Sequence, residues 1–145
     1  MSGLSVGDVV VAEETVEHDV WNRIGTPRVP RFSGSEPDLA WCRRALGAES
    51  GVTVHYGPIA SGDEDVVDGE RRAAIRERTR ALAVAWEGAG GARACRFSGV
   101  SFLEIRGVTD SADGAAARDF ALNVRRALTS VALVTIAVAR CDRGA

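Results

Sequence analysis

Three short segments concentrate carboxylates beside small residues: Ser61-Gly62-Asp63-Glu64-Asp65, Trp86-Glu87-Gly88 and Thr109-Asp110-Ser111-Ala112-Asp113. Each follows an apolar run that reads as a strand. In open α/β sheets, ligands bind just beyond the carboxyl ends of the strands. If the three runs are parallel, their acid ends lie on one edge of the sheet and line one cleft. Carboxylates that share a cleft repel one another, which raises at least one pKa and supplies a general acid. A plainer reading stands beside this one: Asp68, Glu87 and Asp113 each precede a plausible helix and fit the role of an amino-terminal cap.

Other chemistries find little support. All 18 basic residues are arginines, so the usual P-loop and Schiff-base chemistries, which need lysine, are excluded. Cys42, Cys95 and Cys141 are odd in number and far apart, with no C-x-x-C pair or His/Cys cluster near them. Neither a disulfide framework nor a metal site is indicated, and the thiols read as reduced ones in a cytoplasmic protein. The run from Arg71 to Arg80 interleaves Ala and Glu with its arginines and reads as a solvated helix face. Gly88-Ala89-Gly90-Gly91-Ala92-Arg93 follows a strand, but its sixth position is Arg, so the dinucleotide fingerprint fails and no cofactor is expected. His55, inside a strand, reads as a packing or surface residue rather than a ligand. With 20 acidic residues the net charge is −2, which gives no support to a nucleic-acid or membrane-surface partner.

The elements that must position these acids alternate in type. Asp8 to Ala12 reads as a strand, and residues 21–37, with three of the four prolines, as a long loop. Ser35-Glu36-Pro37-Asp38 resembles a capping box opening a helix whose apolar face is Leu39, Cys42 and Leu46. Val52 to Ala60 is β-rich, Asp68 caps a charged helix to about Arg80, and Leu82 to Trp86 is a strand. Gly88 to Ser98 reads as a helix and Val100 to Val108 as another strand. Phe120, Val124, Ala127, Val131, Val134 and Val138 then repeat at helical spacing along one amphipathic helix from Ala115 to Arg140. This alternation predicts a three-layer α/β domain with a largely parallel sheet.

The 145 residues fit one domain, at roughly 150 residues per domain, and a composition 46% apolar and 26% charged excludes wholesale disorder. The first residues show neither the basic nor the apolar region of a signal peptide. The most apolar stretch, Leu128 to Ala139, is about twelve residues against the roughly 20 a bilayer needs, and reads as a buried helix.

The order and spacing of the acids resemble the purine nucleoside phosphorylase/nucleosidase superfamily, and within it the 5′-methylthioadenosine/S-adenosylhomocysteine nucleosidases. Gly3 to Val11 with Glu17-His18-Asp19 is similar to the middle of such a protein. Ile59-Ala60-Ser61-Gly62-Asp63 matches their S-G-D strand end. Ala85-Trp86-Glu87-Gly88-Ala89 stands at their E-M-E segment, and Ile105 to Asp113 matches their R-x-I-S-D-x-A-D segment. The resemblance implies a three-layer αβα phosphorylase/hydrolase-like fold with a largely parallel mixed sheet, the whole of 1–145 forming one nucleoside phosphorylase-like domain. It implies cleavage of the N-glycosidic bond of a purine nucleoside, in methionine salvage, by a homodimer or higher homo-oligomer. Asp110 would donate a proton to N7 of the base and Glu87 would accept hydrogen bonds from the ribose hydroxyls. Trp86 would pack on the sugar and Val66 would meet the base through backbone groups. Ser61, Asp63 and Arg106 would support the site, Arg106 by orienting the acidic strand end. His18 would pack near the subunit interface.

Two departures from the family pattern matter. Where the family stacks an aromatic ring on the purine, two residues after S-G-D, this chain has Asp65. Either Trp86 replaces that platform, or Asp65 accepts a hydrogen bond from an exocyclic amine or cationic group, or it caps the following turn. The first Glu of E-M-E is replaced by Ala85, while Glu104 lies two residues from Arg106 on one strand face, which suggests a relocated arginine partner. The family also carries a further amino-terminal portion, with the group that selects water or phosphate as nucleophile. The chain therefore resembles the carboxyl-terminal half to two-thirds of an enzyme. A phosphate-dependent phosphorylase, or a truncated, non-catalytic nucleoside-binding or dimerising remnant, is the alternative.

Overall fold

The computed structural model of the chain describes residues 3–20, 28–46 and 51–141. Strand β1 (Val9–Glu17) is central because it is apolar on both sides: Val9, Val10, Val11 and Val16 are fully buried. β3 (Val54–Ser61) runs parallel to it, from Val9 beside Val54 to Glu17 beside Ser61, with a bulge between Ala12 and Glu14. β4 (Ala83–Ala85) is parallel to the end of β3. The other edge of β1 is shared by two short antiparallel strands. β2 (Arg31–Ser33) lies along its carboxyl half and β5 (Ile105–Gly107) along its amino half.

Helices flank both faces of this mixed sheet. On one face, α1 (Glu36–Ala45) and α4 (Ala116–Arg140) bury Leu39, Cys42 and Val138 against Val11, with Tyr56 and Ile105 packed around them. α2 (Gly69–Thr79) sets Ile75 against Ala60, and Asp68 caps it by accepting the Arg71 backbone N–H at 3.0 Å. α3 (Gly88–Ser98) crosses the opposite face over β1, β2 and β3. The three-layer α/β fold is what the alternation predicted, while the sheet is mixed, as the resemblance implied, with β2 and β5 antiparallel to β1.

Several boundaries and one direction differ. The strand expected over Val100–Val108 shrinks to three residues and runs antiparallel to β1, so its Asp110 end leaves the sheet beside the start of β1. The ends of β3 and β4 lie at the finish of β1, so three parallel ends on one edge are not what the sheet contains. β2 falls within the expected loop, whose 21–27 portion lies outside the described residues. Ser35 does occupy the N-cap of α1, with Pro37 in the first turn, but its hydroxyl makes no capping bond, so the expected capping box does not close.

The long helix also departs from expectation. Ala127, Val134 and Val138 of the repeat are buried, yet Phe120 is 52% exposed. Leu122, Leu128, Leu133 and Ile136 on the outer side are 46–73% exposed, so Leu128 to Ala139 is not a buried helix. By length and composition alone the whole of α4 meets the requirement for crossing a membrane, although its inner face packs on β1, β5 and α1.

Candidate active site

Ser61 joins three elements at the carboxyl end of β3. Its fully buried hydroxyl donates to the Trp86 carbonyl at 2.8 Å and accepts the Ala89 N–H at 2.8 Å, which ties β3 to the end of β4 and the first turn of α3. The following turn is held by the end of β1. Ser61 O accepts the His18 N–H, and the Asp63 N–H donates to Asp19 Oδ2 at 2.7 Å. Gly62 permits this approach: a Cβ there would sit 2.6 Å from His18 Nε2 and 2.8 Å from the Asp19 carboxylate carbon. His18 is fully buried, neither ring nitrogen has a hydrogen-bond partner, and burial lowers its pKa.

Beyond the turn, Asp65 is exposed and Val66 buried. Glu64 receives both arms of Arg71, at 2.5 Å each, and that hydrogen bonding holds its carboxyl below the usual range. Arg72 donates to the Ser111 carbonyl at 2.5 Å, and Arg78 donates to the His18 carbonyl. The arginines of this run stay exposed or half-exposed, as expected of a solvated face, and three of them also tie α2 to the loops after β3 and β5 and to the end of β1.

Asp110 is fixed at both oxygens. Thr109 Oγ1 donates to Oδ2 at 2.6 Å and the Ala112 N–H to Oδ1 at 2.8 Å, while Asn123 of α4 donates to the Thr109 carbonyl at 3.1 Å. Ala112 then packs with Val66, Ala60 and Ile75 in one cluster. The loop thus brings the chain beyond Asp110 back to the segment after β3, although β5 runs the other way.

The helix-cap alternative holds for Asp68, and Asp113 makes a local turn by accepting the Ala115 N–H at 2.9 Å. It fails for Glu87, which occupies the N-cap of α3 without a side-chain cap. Its carboxylate meets Arg106 Nη2 at 2.7 Å instead. A hydrogen bond from its own backbone N–H, and then Arg106, hold Glu87 below the ordinary carboxylate value. Arg106 Nε donates to Glu104 Oε1 at 2.8 Å, the relocated partner that the sequence suggested. Burial opposes the charge on Arg106, and the two carboxylates outweigh it. Trp86, the residue before Glu87, is 56% exposed.

The structure therefore joins Ser61, Trp86, Glu87 and Arg106 in one bonded set, and Val66 with the Asp110 loop in another. Sequence reasoning missed Thr15, whose hydroxyl donates to Glu104 Oε2 at 2.6 Å, and Asn123. Nothing in the chain's pattern marks either, since both act across more than ten residues. Asp19 was visible in Glu17-His18-Asp19, but not its hold on Asp63. A separate open groove of about 410 Å³ between β2 and α3, lined by Arg31, Phe32, Arg96 and Phe102, holds none of these acids.

The sequence profile of the phosphorylase superfamily matches residues 2–140. The chain belongs to that superfamily. It is 33% identical over 125 residues to the 5′-methylthioadenosine/S-adenosylhomocysteine nucleosidase of Actinobacillus succinogenes, covering 81% of this chain and 54% of that one. The Bacillus thuringiensis nucleosidase is 36% identical over 119 residues, covering 75% and 51%. Among solved structures, the Neisseria meningitidis nucleosidase in complex with methylthio-immucillin-A superposes with a TM-score of 0.86 at 33% identity, covering 96% of this chain and 64% of that one. Futalosine hydrolase of Helicobacter pylori gives 0.86 at 26% identity, covering 96% and 62%. The chain thus spans about half the length of the curated superfamily relatives it matches.

Proposed function

We propose that this chain carries the base-releasing site of an N-glycosidase acting on purine nucleosides, of the 5′-methylthioadenosine/S-adenosylhomocysteine type. The observation that carries the reading is the Arg106–Glu87 pair. It draws Glu87 away from helix capping and presents a half-open carboxylate, 67% exposed, to accept two vicinal ribose hydroxyls. The names of the similar nucleosidases and the inhibitor in the Neisseria complex support the same substrate class.

Asp110 is the general acid. Protonation of N7 lets the C1′–N9 bond break with its electron pair moving onto the base, through an oxocarbenium-like state. Water then adds to C1′, and the proton it loses replaces the one given up by Asp110. In a phosphorylase, phosphate takes the place of water. Trp86 covers the sugar, Val66 meets the base, and Asp65, exposed beside it, recognises an exocyclic amine. Ser61 and Asp63 keep the strand end rigid. The protein works in the cytoplasm, in methionine salvage, without cofactor or metal and without a nucleic-acid or membrane partner, as a homo-oligomer formed through the exposed outer face of α4.

The test is release of free base from 5′-methylthioadenosine, S-adenosylhomocysteine, adenosine, inosine and futalosine, with and without phosphate. Asp110→Asn is expected to lower release by at least about 10²-fold. Dependence on phosphate identifies a phosphorylase. A folded chain that releases no base from any of these nucleosides refutes a self-sufficient enzyme. That same result would support the second reading, a chain that binds nucleosides without turnover of its own.

A further inference from the structure

Glu104 is a buried carboxylate, with a side chain only 4% exposed, at the head of β5. It touches three things. Thr15 Oγ1 of β1 donates to Oε2 at 2.6 Å, and Arg106 Nε donates to Oε1 at 2.8 Å. The third contact is the first residue of α3: a Cβ on Gly88 would fall well under 3.0 Å from the carboxylate. A negative group is favoured at a helix amino end, where backbone N–H groups lack partners. Every feature around Glu104 therefore fixes it in place. Arg106, its guanidinium anchored on one side, extends Nη2 to Glu87 at 2.7 Å. Glu87 itself is exposed, and apart from its own backbone N–H its carboxylate is held by Arg106.

We propose that Glu104 is a positioning residue for the site: by anchoring Arg106 from beneath, it fixes the direction of the Glu87 carboxylate. Glu104 never meets substrate and acts only through the guanidinium. The proposal rests on the reading of Glu87 as the ribose acceptor, and it adds a residue that determines how strongly the ribose hydroxyls are recognised.

The deciding experiment needs no turnover. The Glu87 carboxyl is titrated by carbon-13 NMR in the full chain and in Glu104→Gln, Glu104→Asp and Arg106→Gln. Loss of a neighbouring negative charge alone would lower the Glu87 midpoint. Loss of the anchor frees Arg106 to leave Glu87, and the midpoint rises toward its value in Arg106→Gln. Glu104→Asp keeps the charge but withdraws it by one methylene, so a rise there has no charge-loss explanation. In Glu104→Gln the Thr15 hydroxyl can accept from the new amide NH₂, and the amide oxygen keeps only a neutral hydrogen bond to Arg106 in place of the charge-assisted one, so the variant is expected to fold with its anchor weakened. Rises in both variants support positioning; a fall or an unchanged midpoint overturns it.

A second readout is affinity for adenosine against 2′,3′-dideoxyadenosine. The full chain is expected to prefer adenosine, and Glu104→Gln to narrow that preference by about tenfold, the loss of one charge-assisted hydrogen bond. Adding Glu104→Gln to Arg106→Gln should cost nothing further. Equal binding of the two ligands by the full chain would refute Glu87 as ribose acceptor, while the titration still decides whether Glu104 holds Arg106.

Discussion

Gly88→Ala is the sharpest probe of the packing beneath the site. The substitution places a Cβ well under 3.0 Å from both oxygens of Glu104. A flexible, exposed carboxylate would swing aside at little cost, but Glu104 is 5% exposed and bonded to Thr15 and Arg106. Moving it disrupts two hydrogen bonds to a buried charged group, each worth about 1.5–3 kcal/mol. Better helix propensity returns at most about 1 kcal/mol. The net expectation is destabilisation by about 3 kcal/mol. With a urea slope of about 1.5 kcal/mol/M, the unfolding midpoint falls by about 2 M. Gly90, two residues along the same helix, is the control, because a Cβ there meets nothing within 4 Å. Gly90→Ala should raise the midpoint by about 0.5 M, from propensity alone. In a Glu104→Ala background the space is vacated, so Gly88→Ala should there lose most of its cost. If Gly88→Ala stabilises the chain as Gly90→Ala does, the buried carboxylate is not held against α3 and the positioning argument loses its base.

Two further outcomes follow from the same structure. Burial lowers the His18 pKa below its ordinary value of 6.5, so the unfolded chain binds the proton more readily than the folded one. Stability should fall as pH drops below 6.5 toward the lowered folded value, and thermal melts of His18→Gln should show a shallower slope across that window. Glu64 and Glu87, with depressed pKa values, contribute stability that is lost only at lower pH, below the ordinary carboxylate value of 4.5, so the two effects separate. On the outer face of α4, Leu133→Arg should change stability by no more than about 0.5 kcal/mol, since the side chain is half exposed. The same variant should lower the mass seen in sedimentation equilibrium; an unchanged mass would exclude that face as the self-association surface.

The acids themselves were legible in the sequence because their identity is a local property. S-G-D at a strand end, Glu87 before a helix and Asp110 after an apolar run are visible within a few residues, and the structure puts each beside an element end. The apolar period of α4 was legible in the same way for Ala127, Val134 and Val138, which are buried. Exposure of Leu128, Leu133 and Ile136 was not, because periodicity shows which face is more apolar but not what covers the other.

Strand direction was the information that the pattern lacked. A run such as Leu103 to Val108 alternates identically whichever way it lies, and its direction depends on the pairing of Val9 with Gly107, nearly a hundred residues apart. The antiparallel choice has a chemical consequence. It brings the face that carries Glu104 and Arg106 next to the bulged β1 that supplies Thr15, and under the amino end of α3. Alternation alone already put Glu104 and Arg106 on a common face, so the relocated arginine partner was readable from local spacing. A residue pair two apart on a strand survives reversal of that strand. A cleft built from three strand ends does not, which is why the pair emerged as expected while the shared parallel edge did not.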